Sequence, residues 1–307
     1  MVECLYWFYF LFYMTMKENY IDSYLEYLQY SRGFSYRTVE EYKKALTRFD
    51  NYLKDIDKTI KNPTDIVLMD ALKFFENLSK SWWCAASVAN ALKSVRSYLK
   101  YCRNILELDV IDPYKIPYPK SIHKEIWFYS EEDKKLILNL VNEWFWLRKI
   151  TQMRNRLLVY MFFHTGLRIH EMAKIKVWEI WESLQIIGKG GKRRFVYLRR
   201  ELLEMIDEYL SQRKKKSEYL FPSWFKEWWH ITTDQIRHTF NKMSKKVWIH
   251  IHAHKFRHTF ATDLLHVPWA NIYNVSKLLG HSSILTTQIY LWVYNSELKN
   301  LQFWLNF

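Results

Sequence analysis

The N-terminal third of the chain carries two series of apolar residues at helical spacing. The first series is Val39, Tyr42, Leu46, Phe49 and Leu53. The second is Val88, Leu92, Val95, Leu99, Cys102 and Leu106. Steps of three and four residues place such side chains on one face of a helix. Ser35 is suited to cap the first helix, and Asn62-Pro63-Thr64 interrupts the chain before another helix. The pattern predicts a domain of about four helices.

A proline-rich segment separates this pattern from the rest of the chain. Residues 112–120 read Asp-Pro-Tyr-Lys-Ile-Pro-Tyr-Pro-Lys, which disfavours a helix and favours an extended connector. We therefore predict a helical domain at residues 17–112, a linker at 113–129 and a second domain at 130–307. Residues 1–16 are mostly apolar and precede the patterned sequence. We expect them to be an upstream extension that is not native, and an interfacial anchor is the alternative.

The second domain is predicted to be mainly helical with one small β-hairpin. Ser130-Glu-Glu-Asp133 is typical of a helix start, because a capping serine precedes acidic first-turn residues. A buried helix is expected at residues 156–163. Two β-forming runs at 184–187 and 195–198 flank a Gly-Lys-Gly-Gly-Lys-Arg-Arg loop, as in a hairpin. The fold class is therefore expected to be mainly α, with two domains and a small hairpin.

Composition adds a strong basic bias to this picture. Lys and Arg number 46 against 32 Asp and Glu, which gives a formal net charge of +14. Because basic side chains bind nucleic acids mainly through phosphates, this excess favours a polyanionic partner. The cysteines Cys4, Cys84 and Cys102 lack CxxC spacing, so neither a disulfide framework nor a thiolate zinc site is expected, and a reducing cytoplasm fits best. The apolar run at residues 5–14 is too short to span a membrane.

Glycine and tryptophan occur in unusual proportions. The chain has 6 Gly and 15 Trp, although glycine is normally among the most common residues. Several tryptophans, including Trp248 and Trp269, lie where a turn-forming residue is expected, and an indole does not easily adopt positive φ. One hypothesis is that the source organism reads UGA as glycine at these positions. The alternative is a Trp-rich protein whose rings pack in cores or stack on bases.

Four separated segments carry unusual polar clusters. They are His164-Thr-Gly-Leu-Arg168-Ile-His-Glu171, Gly188-Lys189-Gly-Gly-Lys192-Arg-Arg194, His254-Lys-Phe-Arg257-His258, and Leu279-Gly-His281 followed by Thr-Thr-Gln-Ile-Tyr290. Each has an ordinary explanation when it is taken alone, since Arg168 and Glu171 can simply pair across one helical turn. His250, His252 and His254 alternate as metal ligands could, but no cysteine or carboxylate lies at a fitting spacing. We therefore predict no metal site.

The order of the four clusters resembles a known family. Arg, Lys, His-x-x-Arg, His and Tyr in this order are similar to the tyrosine recombinase (phage integrase) family, and most similar to its Xer recombinases. The matching pieces are Thr165-Gly-Leu-Arg168-x-x-Glu171, Gly188-Lys-Gly190, His254-x-x-Arg257-His258, and Leu279-Gly-His281 with Thr-Thr-Gln-Ile-Tyr290. The stretch Ser35-x-x-Thr38-x-x-x-Tyr42 is similar to the family's N-terminal core-binding domain.

The resemblance implies a fold, a reaction and a partner. It implies an N-terminal SAM-like core-binding domain and a C-terminal tyrosine recombinase catalytic domain. DNA would be cut and rejoined through a 3′-phosphotyrosyl link at Tyr290, which retains the phosphodiester energy. No ATP, metal or other cofactor would be required. The implied partners are a double-stranded DNA recombination site and further protomers, in a homo- or hetero-tetramer on two DNA sites, with no membrane involved.

The resemblance also implies roles for individual residues. The catalytic set is expected to be Arg168, Lys189, His254, Arg257, His281 and Tyr290. Arg168 and Arg257 would stabilise the charged phosphate oxygens, and His281 would add a hydrogen bond. His254 would assist deprotonation of the tyrosine, and Lys189 would protonate the leaving 5′-oxygen.

The basic loop of the hairpin is expected to contact DNA outside the reaction centre. Its residues Lys192, Arg193 and Arg194 are predicted to bind backbone phosphates. Three other functions remain possible from the sequence: a type IB topoisomerase-like relaxing enzyme, a non-catalytic DNA-binding accessory protein and a basic helical scaffold. The ordered motif favours the recombinase, while chromosome dimer resolution and mobile-element integration cannot be separated.

Overall fold

The structure is a computed structural model that describes most of the chain. The described residues are 20–56, 62–81, 84–117, 127–143, 148–188, 191–214, 216–226, 228–267, 269–281 and 283–291. The predicted extension at residues 1–16 lies outside them. The chain divides into two compact units, residues 1–123 and 124–307. No helix among the described residues is long and apolar enough to cross a membrane.

Four α-helices form the described part of the N-terminal unit, as the sequence predicts. They are α1 (Tyr20–Glu26), α2 (Tyr36–Asp55), α3 (Leu68–Lys80) and α4 (Ala85–Asn104). Ser35 caps α2, because its hydroxyl accepts a hydrogen bond from the backbone N–H of Thr38 at 3.4 Å. The predicted apolar face of α2 is buried at Val39, Leu46, Phe49 and Leu53. These side chains share one core with α4, which explains the helical spacing seen in both segments.

The core of the N-terminal unit extends past residue 112, where the linker is predicted to begin. Pro113–Lys115 form a single 3-10 turn, which Asp112 caps by accepting from the backbone N–H of Tyr114 at 2.9 Å. Ile116 is fully buried in the core of this unit. The first residues of the predicted linker therefore pack with the helices before them. Residues 118–126 of the linker lie outside the described residues.

The C-terminal unit combines helices with one two-stranded sheet in its described part. The helices are α5 (Glu131–Glu143), α6 (Lys149–Thr165), α7 (Ile169–Ala173), α8 (Arg200–Gln212), α9 (Thr233–Val247), α10 (Ala253–Leu265), α11 (Ile272–Leu279) and α12 (Leu285–Gln288). The strands β1 (Ser183–Ile187) and β2 (Arg193–Tyr197) pair antiparallel, with Leu184 opposite Val196. The predicted hairpin and the predicted mainly α fold are therefore confirmed.

Helix α6 runs through the centre of the C-terminal unit. Its fully buried side chains are Leu157, Leu158, Val159, Met161 and Phe162. A helix that is apolar on so many sides is one that other elements surround. Gly166 ends α6 with φ 57°, and a β-carbon at this position would clash with the ring of Phe260 in α10. The glycine of the Thr-Gly-Leu-Arg motif thus lets α10 approach the end of α6, where the predicted catalytic arginines lie.

Helix α9 ends at a tryptophan in the left-handed conformation. Trp248 has φ 58° and is 94% exposed. A residue that ends a helix in this way is usually glycine, because a β-carbon there costs about 1–2 kcal/mol. Trp269 is also 84% exposed. Neither ring packs in a core. The left-handed φ of Trp248 favours the hypothesis that this position is glycine in the native protein, whereas the exposure of Trp269 excludes only core packing.

Candidate active site

Two predicted catalytic arginines are anchored on one turn of backbone in the C-terminal unit. Arg257, in the first turns of α10, donates from Nη1 to the carbonyl of Gly166 at 2.7 Å and from Nη2 to the carbonyl of Leu279 at 2.5 Å. Arg168, which directly precedes α7, donates from Nη2 to the carbonyl of Gly280 at 3.3 Å. The two acceptor carbonyls at 279 and 280 are adjacent in the chain. The guanidinium groups are therefore held close together, although their residues are far apart in the sequence.

Arg257 is the more deeply buried of the two arginines. It is 5% exposed. Burial, followed by the positive charge of Arg168, lowers the pKa of Arg257 to about 10. The group is still charged at neutral pH. A buried charge of fixed position is suited to stabilise negative charge that develops next to it.

Glu171 of α7 is the buried counter-ion of this region. Its carboxylate accepts from the backbone N–H of Arg168 at 2.7 Å and from Nη1 of that residue at 3.1 Å. Arg194 of β2 donates to the same carboxylate at 2.9 and 2.7 Å. Burial alone would raise the pKa of Glu171, but the hydrogen bonds and charges of Arg194 and Arg168 outweigh it and lower the pKa to about 2. The geometry supports the interpretation that Glu171 holds Arg168 in place.

Arg194 is predicted to bind DNA phosphates, but the structure buries its side chain against Glu171. Arg194 is 8% exposed, its guanidinium forms two bonds with Glu171, and its Nε donates to the carbonyl of Leu278 at 3.0 Å. Side chains alternate along a strand, so Arg194 points inward and its neighbour Arg193 outward. Lys192 and Arg193 are exposed. Their role at DNA phosphates stays a prediction.

His281 follows a left-handed glycine at the end of α11. Gly280 has φ 66°, and a β-carbon there would lie 2.8 Å from Cδ of Arg194. Nδ1 of His281 lies 2.7 Å from Oγ1 of Thr287 in α12. Burial, followed by the charges of nearby arginines, first Arg257, lowers the pKa of His281 to about 4. The imidazole is thus neutral near pH 7, where it can donate one hydrogen bond without adding a further charge.

Tyr290 is buried, and its hydroxyl contacts His258. The hydroxyl oxygen lies 2.8 Å from Nδ1 of His258, and Tyr290 is 2% exposed. The ring belongs to a small apolar cluster formed by α10 and α11. Burial raises the pKa of Tyr290, while the charges of Arg257 and Arg168 oppose that rise. The predicted nucleophile is therefore a neutral phenol within the electrostatic reach of both arginines.

Of the two remaining predicted catalytic residues, the structure describes only His254. His254 lies on the outside of the first turn of α10, and its backbone N–H donates to Nδ1 of His252 at 3.0 Å. Partial burial and the charge of Arg257 lower the pKa of His254. Lys189 lies outside the described residues, so its role stays a prediction. Among the described residues, no group of three or more His, Cys, Asp or Glu side chains is placed to hold a metal ion.

Sequence reasoning missed two contacts of the site. His258 had no assigned role, although it lies four residues after His254, and residues at this spacing share one face of a helix. The spacing of His258 from His254 could therefore have indicated that both histidines lie at the site. Thr287, which contacts His281, lies in α12 and offered no comparable signal in the sequence.

The sequence matches two family profiles and many curated proteins. The profile of the phage integrase family matches residues 128–297, and that of the phage integrase N-terminal SAM-like domain matches residues 21–104. The tyrosine recombinase XerC of Listeria welshimeri is 29% identical over 303 residues. The match covers 94% of this chain and 97% of that protein.

Solved structures share the fold of the chain. The XerH site-specific recombinase bound to a palindromic difH substrate gives a TM-score of 0.68 at 21% identity, covering 84% of this chain and 77% of that one. A lambda integrase tetramer bound to a Holliday junction also gives 0.68, at 16% identity, covering 86% and 76%. These likenesses confirm the fold class: a mainly helical chain with an N-terminal SAM-like domain and a C-terminal integrase domain.

Proposed function

Since this chain belongs to the phage integrase family, we propose that it is a site-specific tyrosine recombinase, which cuts and rejoins double-stranded DNA. The observation that carries the proposal is the turn shared by Arg168 and Arg257, whose guanidinium groups bond to the adjacent carbonyls at 279 and 280. His281 comes next in the chain, and the charges of both arginines lower the pKa of Tyr290 against the effect of burial. Fixed positive charge beside a tyrosine hydroxyl is what metal-free phosphoryl transfer needs.

Tyr290 is the proposed nucleophile. Its oxygen attacks the phosphorus of a DNA phosphodiester, and the bond from phosphorus to the 5′-oxygen breaks. The product is a 3′-phosphotyrosyl ester, which retains the energy of the original bond. Rejoining reverses the step, so neither ATP nor a metal ion is needed and we propose no cofactor.

Arg168, Arg257 and His281 stabilise the phosphate oxygens in this scheme. Each guanidinium carries several N–H groups, and the backbone carbonyls engage only part of those of Arg257. The remaining N–H groups can bind phosphate oxygens. A planar guanidinium fits two such oxygens better than a lysine ammonium does. His281 adds a neutral hydrogen bond.

The leaving 5′-oxygen needs a proton, because an alkoxide is a poor leaving group. We assign that proton to Lys189, on the support of its place in the Gly-Lys-Gly motif. His254 is proposed to assist at the nucleophile, on the family resemblance. Exposed Lys192 and Arg193, at the start of β2, are proposed to bind phosphates of the DNA backbone.

The proposed partners are a duplex recombination site and a tetramer that joins two such sites. The net charge of +14 supports a polyanionic partner. Relatives of the same fold were solved on DNA, XerH on its difH substrate and lambda integrase as a tetramer on a Holliday junction. The cysteine pattern supports action in a reducing cytoplasm.

Covalent trapping tests the proposed function directly. The full chain is incubated with a pool of nicked duplexes that carry a randomised central segment. Cleavage near the nick releases a short strand, so the enzyme remains attached to the 3′ end and migrates as an adduct in denaturing electrophoresis. Tyr290→Phe is expected to bind DNA as the wild type does and to form no adduct. An adduct that persists in Tyr290→Phe would show that another residue is the nucleophile.

A further inference from the structure

We propose that His258 is a further catalytic residue, which accepts the proton of the Tyr290 hydroxyl as the tyrosine oxygen attacks DNA, so that His254 assists the transfer without taking the proton itself. The proposal rests on the recombinase function proposed above. His258 touches the reacting atom itself, since its Nδ1 lies 2.8 Å from the hydroxyl oxygen. The two rings lie with their centroids 5.5 Å apart at an interplanar angle of 53°. A proton can be transferred over a heavy-atom separation of this length.

The position of His258 on α10 places it next to Arg257, one of the two proposed phosphate-binding arginines. It directly follows Arg257 in the sequence, on a helix whose neighbouring residues Phe256 and Thr259 are fully buried. The helix is therefore fixed in the core, and the position of His258 relative to Arg257 is fixed with it. Tyr290 follows α12, so it is attached to a different element of the unit. The contact thus joins the nucleophile to the element that carries the phosphate-binding charge.

The electrostatic surroundings keep His258 able to accept a proton. Burial, followed by interactions with His254 and Arg257, lowers the pKa of His258 to about 4. The ring is therefore neutral near pH 7, and a neutral imidazole can accept at Nδ1 when its proton is on Nε2. A DNA phosphate would bring negative charge, which raises the basicity of the ring during the reaction. The charged or titratable groups around it in the described parts of the chain are His252, His254, Arg257, His281 and Tyr290.

The proton and electron movements balance in this step. The proton of the phenol passes from the oxygen of Tyr290 to Nδ1 of His258, and the oxygen's electron pair forms the new bond to phosphorus. The bond between phosphorus and the 5′-oxygen breaks, and that oxygen takes a proton from the acid, proposed to be Lys189. During rejoining, the oxygen of Tyr290 leaves phosphorus and takes the proton back from the imidazolium of His258.

A substrate with a 5′-bridging sulfur isolates this proton transfer. The thiolate leaves without a proton, so the rate then reports chiefly on activation of Tyr290. A DNA sequence recovered in the trapping experiment is synthesised with the 5′-bridging sulfur at the cleaved position. The single-turnover rate of adduct formation on it is then measured from pH 6 to 9. We expect the wild-type rate to be nearly flat with pH. His258→Gln should be about 100-fold slower at pH 7, because general-base catalysis typically contributes 10²–10⁴-fold, and should gain up to about tenfold per pH unit as the phenol ionises.

Two further variants separate catalysis from folding. His258→Asn gives a second neutral side chain of different length and should show the same profile. His266→Gln changes the histidine that directly follows the same helix, whose Nδ1 lies 2.7 Å from the carbonyl of Thr262, and it should retain the wild-type rate and profile. DNA affinity and the unfolding temperature are recorded for each variant, because a folding defect would lower both.

The possible outcomes are distinct. A slow rate with a new pH dependence in both His258 variants supports the proposal. A wild-type rate, or a slow rate with the flat wild-type profile, would overturn it, the latter because a merely structural role leaves the profile unchanged. A variant faster than the wild type would also overturn it, because the contact between His258 and Tyr290 would then hinder the attack of the tyrosine. If the wild type itself forms no adduct, the recombinase function fails and the role of His258 fails with it.

Discussion

The two units of the protein are stabilised by cores of different chemistry. In the N-terminal unit, aromatic and aliphatic side chains pack around hydroxyl contacts such as that of Tyr24 with Ser97, at 2.7 Å. In the C-terminal unit, the core also includes the buried ion pair of Glu171 with Arg194, and a buried Arg257 that donates to backbone carbonyls. Apolar burial accounts for most of the core of the first unit. The second holds charges that would be more stable in water.

Buried charge is tolerated only where each group has partners. Removing an ion from water costs several kcal/mol, and an apolar replacement of a buried ion pair is often no less stable. The network is therefore better explained by function than by stability. Glu171 holds Arg168, and backbone carbonyls hold Arg257, where the charges of both arginines act on Tyr290. Such preorganisation is what charge stabilisation requires. The N-terminal unit also buries the charged residues Asp70 and Arg96, but only in the C-terminal unit do the described buried ions include predicted catalytic residues and their partners.

The largest expected effect on stability comes from Glu171→Gln. The amide leaves buried Arg194 without its counter-charge, and breaking a buried pair costs about 3–5 kcal/mol. Urea unfolding at pH 7 measures this loss. The matched change in the N-terminal unit is Leu92→Ala in α4, which creates a cavity and is expected to cost about 2–5 kcal/mol.

The stability losses of Glu171→Gln and Leu92→Ala should depend differently on pH. The folded-state pKa of Glu171, about 2, lies below its ordinary value of 4.5. Its stabilising contribution is therefore complete above pH 4.5 and is lost as the pH falls towards 2. As the pH falls through this range, the loss of unfolding free energy in Glu171→Gln relative to the wild type should become smaller. The loss in Leu92→Ala should not change. Equal deficits for Glu171→Gln at pH 7 and pH 2.5 would contradict the assignment of Glu171 as the ionised centre of the network.

Arg257→Lys should reduce DNA cleavage by about 10²–10³-fold. Lysine retains the charge but lacks the planar fork that bonds to the carbonyls of Gly166 and Leu279. Single-turnover trapping measures the rate, and DNA affinity is expected to change little. Wild-type cleavage in Arg257→Lys would show that charge alone suffices and that the fixed geometry of the network is not needed.

Two neighbouring arginines of β2 test the difference between buried and exposed charge. Arg193→Gln should reduce the slope of log K against log salt by about 0.9, the value for one lost phosphate contact, at nearly unchanged stability. Arg194→Gln should instead destabilise the protein, because Glu171 loses its bidentate partner. DNA-binding titrations at several salt concentrations and urea unfolding distinguish the two. A reduced salt slope with unchanged stability for Arg194→Gln would contradict its buried position.

The smallest expected effect concerns the end of α9. Trp248→Gly should raise the stability by about 1 kcal/mol, because glycine adopts the left-handed conformation without strain. Thermal unfolding measures the gain. Peptide mass spectrometry of protein from its native source should find glycine at positions 248 and 269. Tryptophan at either position would contradict the recoding hypothesis there.

Much of the fold and the order of the site could be predicted from the sequence, because both depend on local patterns. Helical spacing of apolar residues predicted α2 and α4, and Ser35 and Ser130 predicted helix starts that the structure contains. The order of Arg168, Arg257 and Tyr290 predicted the family. Each of these inferences needs only neighbouring residues or their order along the chain.

Only the tertiary structure decided which of these residues meet. Arg194 looked like its exposed neighbours in the basic loop, yet the alternation of β2 directs it into the core, towards Glu171 23 residues earlier in the chain. Tyr290 meets His258, 32 residues away, because α10 and α11 pack around its ring. Local patterns determine the elements and their faces. Contacts between distant residues depend on how those faces pack, and side-chain volumes decide that only once the whole core is assembled.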